Sequence, residues 1–182
     1  MEKLINGAKR LGIELTPSQL EQFQLYYEEL VKWNERMNLT AITDYEEVQT
    51  KHFLDSLTIV LAFNNEQFAQ RDFCLLDVGA GAGMPGIPLK ILFPKVRVVL
   101  LESITKKTRF LHHIVDCLKL SSVEVLTGRA EELAHQENYR EKLDLVVSRA
   151  VGKLPTLAEL TLPFCRVGGL FVAPRKGKLR KK

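Results

Sequence analysis

Residues Asp77 to Gly86 read Asp-Val-Gly-Ala-Gly-Ala-Gly-Met-Pro-Gly and constrain the fold more than any other stretch of this 182-residue chain. The apolar run Phe73-Cys74-Leu75-Leu76 precedes them and reads as a buried strand. Ile87-Pro88-Leu89-Lys90-Ile91-Leu92-Phe93 follows and reads as a short helix. Strand, glycine-rich turn and helix, in that order, is the setting in which backbone comes close to a nucleotide. Glycine admits φ > 0 and leaves no Cβ between chain and ligand. The plain alternative is a turn that only packs, but four glycines in eight residues beside a carboxylate are costly if nothing binds.

Two registers of the loop compete. Gly81, Gly83 and Gly86 spell G-x-G-x-x-G, which suits a dinucleotide and makes an NAD-dependent oxidoreductase one alternative. Counted from the strand end, the pattern runs Gly79, Gly81 and then Met84 in the third glycine place. Asp77, two residues before Gly79, suits a ligand with a cationic amino-acid tail and no pyrophosphate. S-adenosylmethionine is such a ligand, and D-x-G-x-G-x-G resembles motif I of the Rossmann-like methyltransferases.

The rest of the chain sets that loop in an alternating pattern. Thr16-Pro17-Ser18-Gln19 reads as a capping box opening a helix, with apolar residues at Leu20, Phe23, Tyr27, Leu30 and Met37. Thr43 and Glu46 suggest a second capping box for a helix to about Lys51, and His52 begins a third helical stretch to about Phe63. Residues 1–70 therefore read as an N-terminal helical region, 71–174 as a Rossmann-like core and 175–182 as a basic tail, all in one domain. Strands are expected at Val96–Leu101, Val123–Leu126, Leu143–Ser148 and Leu170–Ala173, the last opened by Gly168-Gly169. Helices are expected from Thr105, capped by Ser103, after Gly128-Arg129, and over Leu154–Leu162. Alternating strands and helices imply an α/β fold, a doubly wound and mostly parallel sheet.

Composition narrows the setting. No apolar run is long enough to span a membrane, and the N-terminus lacks a signal-peptide core. Cys74, Cys117 and Cys165 are widely spaced and read as core residues in a reducing cytoplasm, not as disulfides or metal ligands. The formal charge of +4 comes from the tail: without the six basic residues of 175–182, 20 basic residues face 22 acidic ones. That tail can touch phosphates or simply be solvated.

Ligands of such sheets sit beyond the carboxyl ends of the strands, beside the first strand. Four features meet there. The first is the glycine loop. The second is Glu102, 23 positions after Gly79 and placed to accept hydrogen bonds from both ribose hydroxyls. The third is Ala130-Glu131, where a backbone amide can read an adenine edge and Glu131 either bonds the exocyclic amine or caps a helix. The fourth is Ser148-Arg149-Ala150, where an acceptor substrate meets the methyl group. An N-P-P-Y-like turn, typical of adenine-amine methylation, is absent there, and so is a nucleophilic cysteine for cytosine carbon. Arg149 offers a planar donor fork for a guanine edge or the cofactor, or holds a carboxylate such as Asp77 or Glu102. His52 and Asp55 share a helical face and read either as site residues or as a capping pair. Trp33, Tyr26 and Tyr27 read as core and boundary residues rather than base-stacking platforms.

Taken with His52-Phe53-Leu54-Asp55-Ser56, Gly128-Arg129-Ala130-Glu131 and Ser148-Arg149-Ala150-Val151, the loop resembles the bacterial ribosomal small-subunit methyltransferase G family, also called glucose-inhibited division protein B. The resemblance covers essentially the whole chain. It implies a class I Rossmann-like fold and methylation of N7 of one guanosine in 16S rRNA by S-adenosylmethionine. By motif it implies cofactor contacts at Asp77, Gly79, Gly81, Gly83, Met84, Ala130, Glu131 and Arg149, with Glu102 as the ribose acid. Arg149 and His52 become substrate-side candidates. The substrate would be RNA within the small ribosomal subunit, the chain a monomer, with neither membrane nor metal involved. Guanine N7 carries its own lone pair, so no catalytic base is required. The family's fold continues past a fifth strand with a helix and a final strand pair, whereas this sequence stops at a basic run. That difference leaves a non-catalytic cofactor- or RNA-binding module as a further alternative.

Overall fold

Cys74–Val78 (β1) is buried along its whole length, and Arg97–Glu102 (β2) is buried after its first residue. Strands so apolar on both faces need cover on both sides, which a parallel sheet between helices supplies. The computed structural model describes residues 1–62, 72–149 and 153–174. With Val123–Thr127 (β3), Leu143–Val147 (β4) and Cys165–Val172 (β5), the described strands form one five-stranded sheet. Its order is β3-β2-β1-β4-β5 and every pair is parallel. The order reverses between β1 and β4, so the loops leaving those two strands part and open a cleft at their carboxyl ends.

Side chains alternate across the sheet with a period of two. Leu75, Val98, Leu100 and Leu145 enter one apolar cluster, and Leu76, Val78, Val99, Leu101 and Val146 enter another on the opposite face. The first cluster is closed by the N-terminal helices, Glu2–Arg10 (α1) and Pro17–Met37 (α2). Phe23 and Tyr26 of α2 pack on Phe53, the first tilted and the second stacked, at ring separations of 5.0 and 5.2 Å. Gln19 and Gln22 bind carbonyls of Ile91, Leu92 and Leu118, fastening α2 to the α/β part. The Thr16–Gln19 capping box forms as read, with Pro17 in the first turn.

Several boundaries differ from the sequence reading. Tyr45–Val48 (α3) is capped by Asp44, not Thr43, because the Asp44 carboxylate reaches the amides of both Glu46 and Glu47. The second and third helical stretches are one continuous segment: α3 runs into a π-helical stretch, Gln49–Leu54, then Asp55–Leu57 (α4) and a 3-10 turn, Thr58–Ala62. After Gly86–Leu92 (α5) and β2 comes Thr105–Cys117 (α6), which has no side-chain cap from Ser103. Ala130–Leu133 (α7) and Leu154–Thr161 (α8) lie where expected. β5 begins at Cys165, before Gly168-Gly169. Its register jumps from Leu143↔Cys165 to Leu145↔Leu170, so the glycines sit in a bulge inside the strand. A Cβ on Gly169 would stand 2.8 Å from the Leu143 carbonyl, which explains the glycine. Ala150, Val151 and the basic tail 175–182 lie outside the described residues.

Candidate functional site

The loop after β1 is tied down at both ends. The amides of Gly79 and Ala80 both bind the Leu101 carbonyl, at 2.8 and 3.0 Å, holding the turn against the end of β2. Gly79, Gly81 and Gly83 have φ of +73°, +59° and +88°, the left-handed region that a side chain resists. From β2, Glu102 reaches up with both oxygens: Oε2 accepts the Gly81 N–H and Oε1 the Ile104 N–H, each at 2.9 Å. From α2, the Tyr26 hydroxyl donates to the Ala82 carbonyl. That tyrosine, expected only as core, is also a support of the loop, and nothing in its local sequence marks it as one.

The glycines divide by what lies over them. A Cβ on Gly81 would meet only the Gly79 carbonyl, at 3.8 Å, and one on Gly128 would meet nothing within 4 Å. These two face open space. A Cβ on Gly83 would stand 2.9 Å from the Tyr26 hydroxyl, and one on Gly86 2.6 Å from Leu100 Cδ2 and 2.9 Å from Asp77 Oδ2. These two serve close packing inside the molecule.

Asp77 departs from the sequence reading in the same way. Lying on the face of β1 against which α5 packs, it is fully buried beneath the loop and lines neither of the two hollows that meet at Gly79. Its Oδ2 accepts the Gly86 N–H at 2.8 Å, and among the described residues Oδ1 has no hydrogen-bond partner. Burial pushes its pKa up to about 7, against the opposing pull of the Gly86 amide and the Arg149 charge, with the Glu102 carboxylate adding to the rise. Gly83 likewise packs inward and does not line the cleft.

Two hollows meet at Gly79. One, of about 410 Å³, is lined by Gly79, Gly81, Met84, Glu102, His52 and Arg149, with Thr40 and Lys107 at its wall. The other, of about 240 Å³, is lined by Gly79, Gly128, Ala130, Glu131 and Ser148, among others. The sequence-derived residues other than Asp77 and Gly83 are therefore brought together along one cleft at the carboxyl edge of the sheet. The glycines that face it have the shape an adenosine-bearing ligand needs: backbone without Cβ, beside an acid whose Oε2 accepts one protein donor and keeps a lone pair.

Arg149 closes the first hollow. Its NH1 lies 3.5 Å from Asp55 Oδ2 and 3.5 Å from the Lys51 carbonyl. Its NH2 lies 3.4 Å from His52 Nδ1 and 3.4 Å from Met84 Sδ. The carboxylate it pairs with is thus Asp55, neither Asp77 nor Glu102. His52 sits in the π-helical stretch, with Nε2 2.8 Å from Thr40 Oγ1. The widened turn brings Lys51, His52 and Asp55 together around one guanidinium.

A family model for rRNA small subunit methyltransferase G (GidB) matches residues 19–182. The chain belongs to the rRNA small subunit methyltransferase G family. A family member from Dehalococcoides mccartyi (strain CBDB1) is 54% identical over the whole chain, which spans 75% of that protein's length. Another, from Bacillus cereus, is 48% identical over the whole chain and 74% of its own length. Among solved structures, the fold is similar to that of a Methanococcus maripaludis protein described as an S-adenosyl-L-methionine-dependent methyltransferase. The TM-score is 0.53 at 14% identity, over 80% of this chain and 60% of that one. A Pyrococcus horikoshii transferase gives a TM-score of 0.52 at 13% identity, over 64% and 42%. Membership of the rRNA small subunit methyltransferase G family makes S-adenosylmethionine, not a nicotinamide, the cofactor.

Proposed function

We propose that the chain transfers a methyl group from S-adenosylmethionine to N7 of one guanosine in 16S rRNA, within the small ribosomal subunit. The reading rests on family membership together with one observation: Glu102 holds the glycine loop through Oε2 alone, which accepts the Gly81 N–H and keeps a lone pair toward the cleft, while Oε1 is taken by the Ile104 N–H and, more loosely, the Ser103 hydroxyl. Bound there, S-adenosylmethionine supplies an electrophilic methyl group on a sulfonium.

The protein's share is positional. Gly79 and Gly81 let the ligand lie against backbone, and Glu102 accepts from ribose hydroxyls. Ala130 and Glu131, at the second hollow, take the adenine. Met84 and Arg149 stand on the acceptor side. Asp77 works from beneath, fixing the Gly86 amide and so the shape of the loop. Arg149 donates to guanine O6 or to a phosphate; a bond to N7 would engage the lone pair that must react. N7 has no proton to lose, so no side chain is assigned as a base. Orientation and exclusion of water carry the rate. His52 holds Arg149 and stands at the substrate side.

We place the reaction in the cytoplasm, with the chain acting as a monomer and no metal taking part in methyl transfer. No helix among the described residues is long and apolar enough to cross a membrane. Incubation with labelled S-adenosylmethionine and unmodified small subunits, followed by mapping of the base, tests the proposal. One labelled guanosine carrying 7-methylguanine is the expected result. A label on another atom, or binding without transfer, overturns it.

A further inference from the structure

Outside the residues that line the cleft, α2 packs on α6, and three potential donor atoms converge between them. His113 and Cys117 stand one turn apart near the end of α6, and Glu29 faces them from α2. His113 Nε2 lies 2.5 Å from Glu29 Oε2 and 3.4 Å from Cys117 Sγ. One donor atom from each of the three residues can be taken so that all lie within 4.8 Å of one another. The other Glu29 oxygen is held by Lys32 Nζ at 3.2 Å, which leaves Oε2 to face inward. The Trp33 ring packs on the imidazole at 4.8 Å between centroids and restrains its tilt. A hollow of about 330 Å³, lined by Lys32, Trp33, Arg36, Met37 and His113, opens beside the cluster.

We propose that Glu29, His113 and Cys117 form a binding site for a thiophilic divalent metal, Zn²⁺ foremost, that joins α2 to α6. Thiolate, imidazole and carboxylate together suit zinc and exclude the oxygen-seeking Mg²⁺ and Ca²⁺. Zinc bonds of about 2.0–2.3 Å in a tetrahedron put donor atoms roughly 3.3–3.7 Å apart. Cys117 and His113 already stand at that spacing. Glu29 and His113 stand closer, as a hydrogen-bonded pair does; the metal takes the place of the shared proton, the imidazole carrying its N–H on Nδ1 instead, while the flexible glutamate withdraws by less than about 1 Å. Three protein donors leave a fourth position, and the adjoining hollow gives a water access to it. Cys117 loses its thiol proton to solvent as the metal–sulfur bond forms, so metal and proton exchange one for one at that atom.

The site is separate from the methyl-transfer cleft, and its test reads metal binding and stability instead of turnover. The metal-free chain is titrated with Co²⁺ alone. A thiolate-to-cobalt charge-transfer band is expected, saturating at one equivalent and bleached by one equivalent of Zn²⁺. The band is expected to vanish in Cys117→Ser, to persist in Cys165→Ser, and to need at least about tenfold more metal in His113→Gln. Zn²⁺ at a hundredfold excess over Kd should raise the thermal midpoint of the unsubstituted chain by roughly 5–10 °C and leave Cys117→Ser unmoved. A chain with no such band, or a band that survives Cys117→Ser, overturns the proposal.

Discussion

Glu102 and Gly81 are joined across the cleft floor, with the carboxylate at the end of β2 accepting the loop amide at 2.9 Å. The same acid accepts the Ile104 amide at the same distance, so one side chain fixes the loop and the start of the following helix together. Glu102→Gln exchanges one acceptor oxygen for an NH₂ that faces a backbone N–H. That leaves one amide unsatisfied, at a cost of about 1–3 kcal/mol. Isothermal titration should show S-adenosylmethionine binding weakened by roughly 10- to 100-fold, with the sheet intact by circular dichroism.

Gly81 and Gly86 should respond in opposite ways. At Gly81 a side chain enters open space but must adopt φ of +59°, so Gly81→Val costs stability about 1–2 kcal/mol while filling the ligand's path. Its S-adenosylmethionine affinity should fall well beyond tenfold. Gly79→Val, in the same backbone region, should abolish binding. Gly86→Ala instead drives a Cβ toward Leu100 and Asp77, and should appear mainly as a lowered unfolding midpoint.

The buried Asp77 makes stability depend on pH. Its pKa rises on folding from the ordinary 3.8 to about 7, so the folded chain keeps a proton that the unfolded chain releases. Its contribution is therefore fully present below about pH 4, declines by at most about 1.4 kcal/mol per pH unit up to about 7, and is constant above. Asp77→Asn should remove that slope. Urea unfolding of both proteins from pH 4 to pH 8 gives the difference, which should grow in favour of the variant as the pH rises.

Arg149 and Asp55 are 94 positions apart in sequence and 3.5 Å apart in space. Arg149→Ala should abolish methylation of unmodified small subunits while shifting stability by no more than about 1 kcal/mol, since the pair is partly exposed. Asp55→Asn leaves the guanidinium in place but loosens it. Turnover should fall less than in Arg149→Ala, with S-adenosylmethionine affinity little changed.

What the sequence made legible was whatever a local pattern encodes. The glycine loop, the strand runs, the Thr16–Gln19 capping box and Glu102 at a strand end all follow from short-range spacing. Asp44 displaced Thr43 as a cap because its carboxylate spans two amides at once, a choice two adjacent capping residues leave open. The burial of Asp77 depends on α5 folding back over β1 so that Gly86 lies on the carboxylate, and the pairing of Arg149 with Asp55 on a π-helical turn. Neither has a sequence period. Cys117, read as a core residue, is half-buried beside His113, and its company with Glu29 spans nearly half the chain.

The most direct measurement of the central claim is a crystal structure of the chain soaked with S-adenosylmethionine. The account predicts the ligand across Gly79, with its ribose hydroxyls on Glu102, its adenine beside Ala130 and Glu131, and its methyl group toward Met84 and Arg149. A soaked crystal whose Gly79–Glu102 cleft stays empty, or whose ligand sits elsewhere on the molecule, contradicts it.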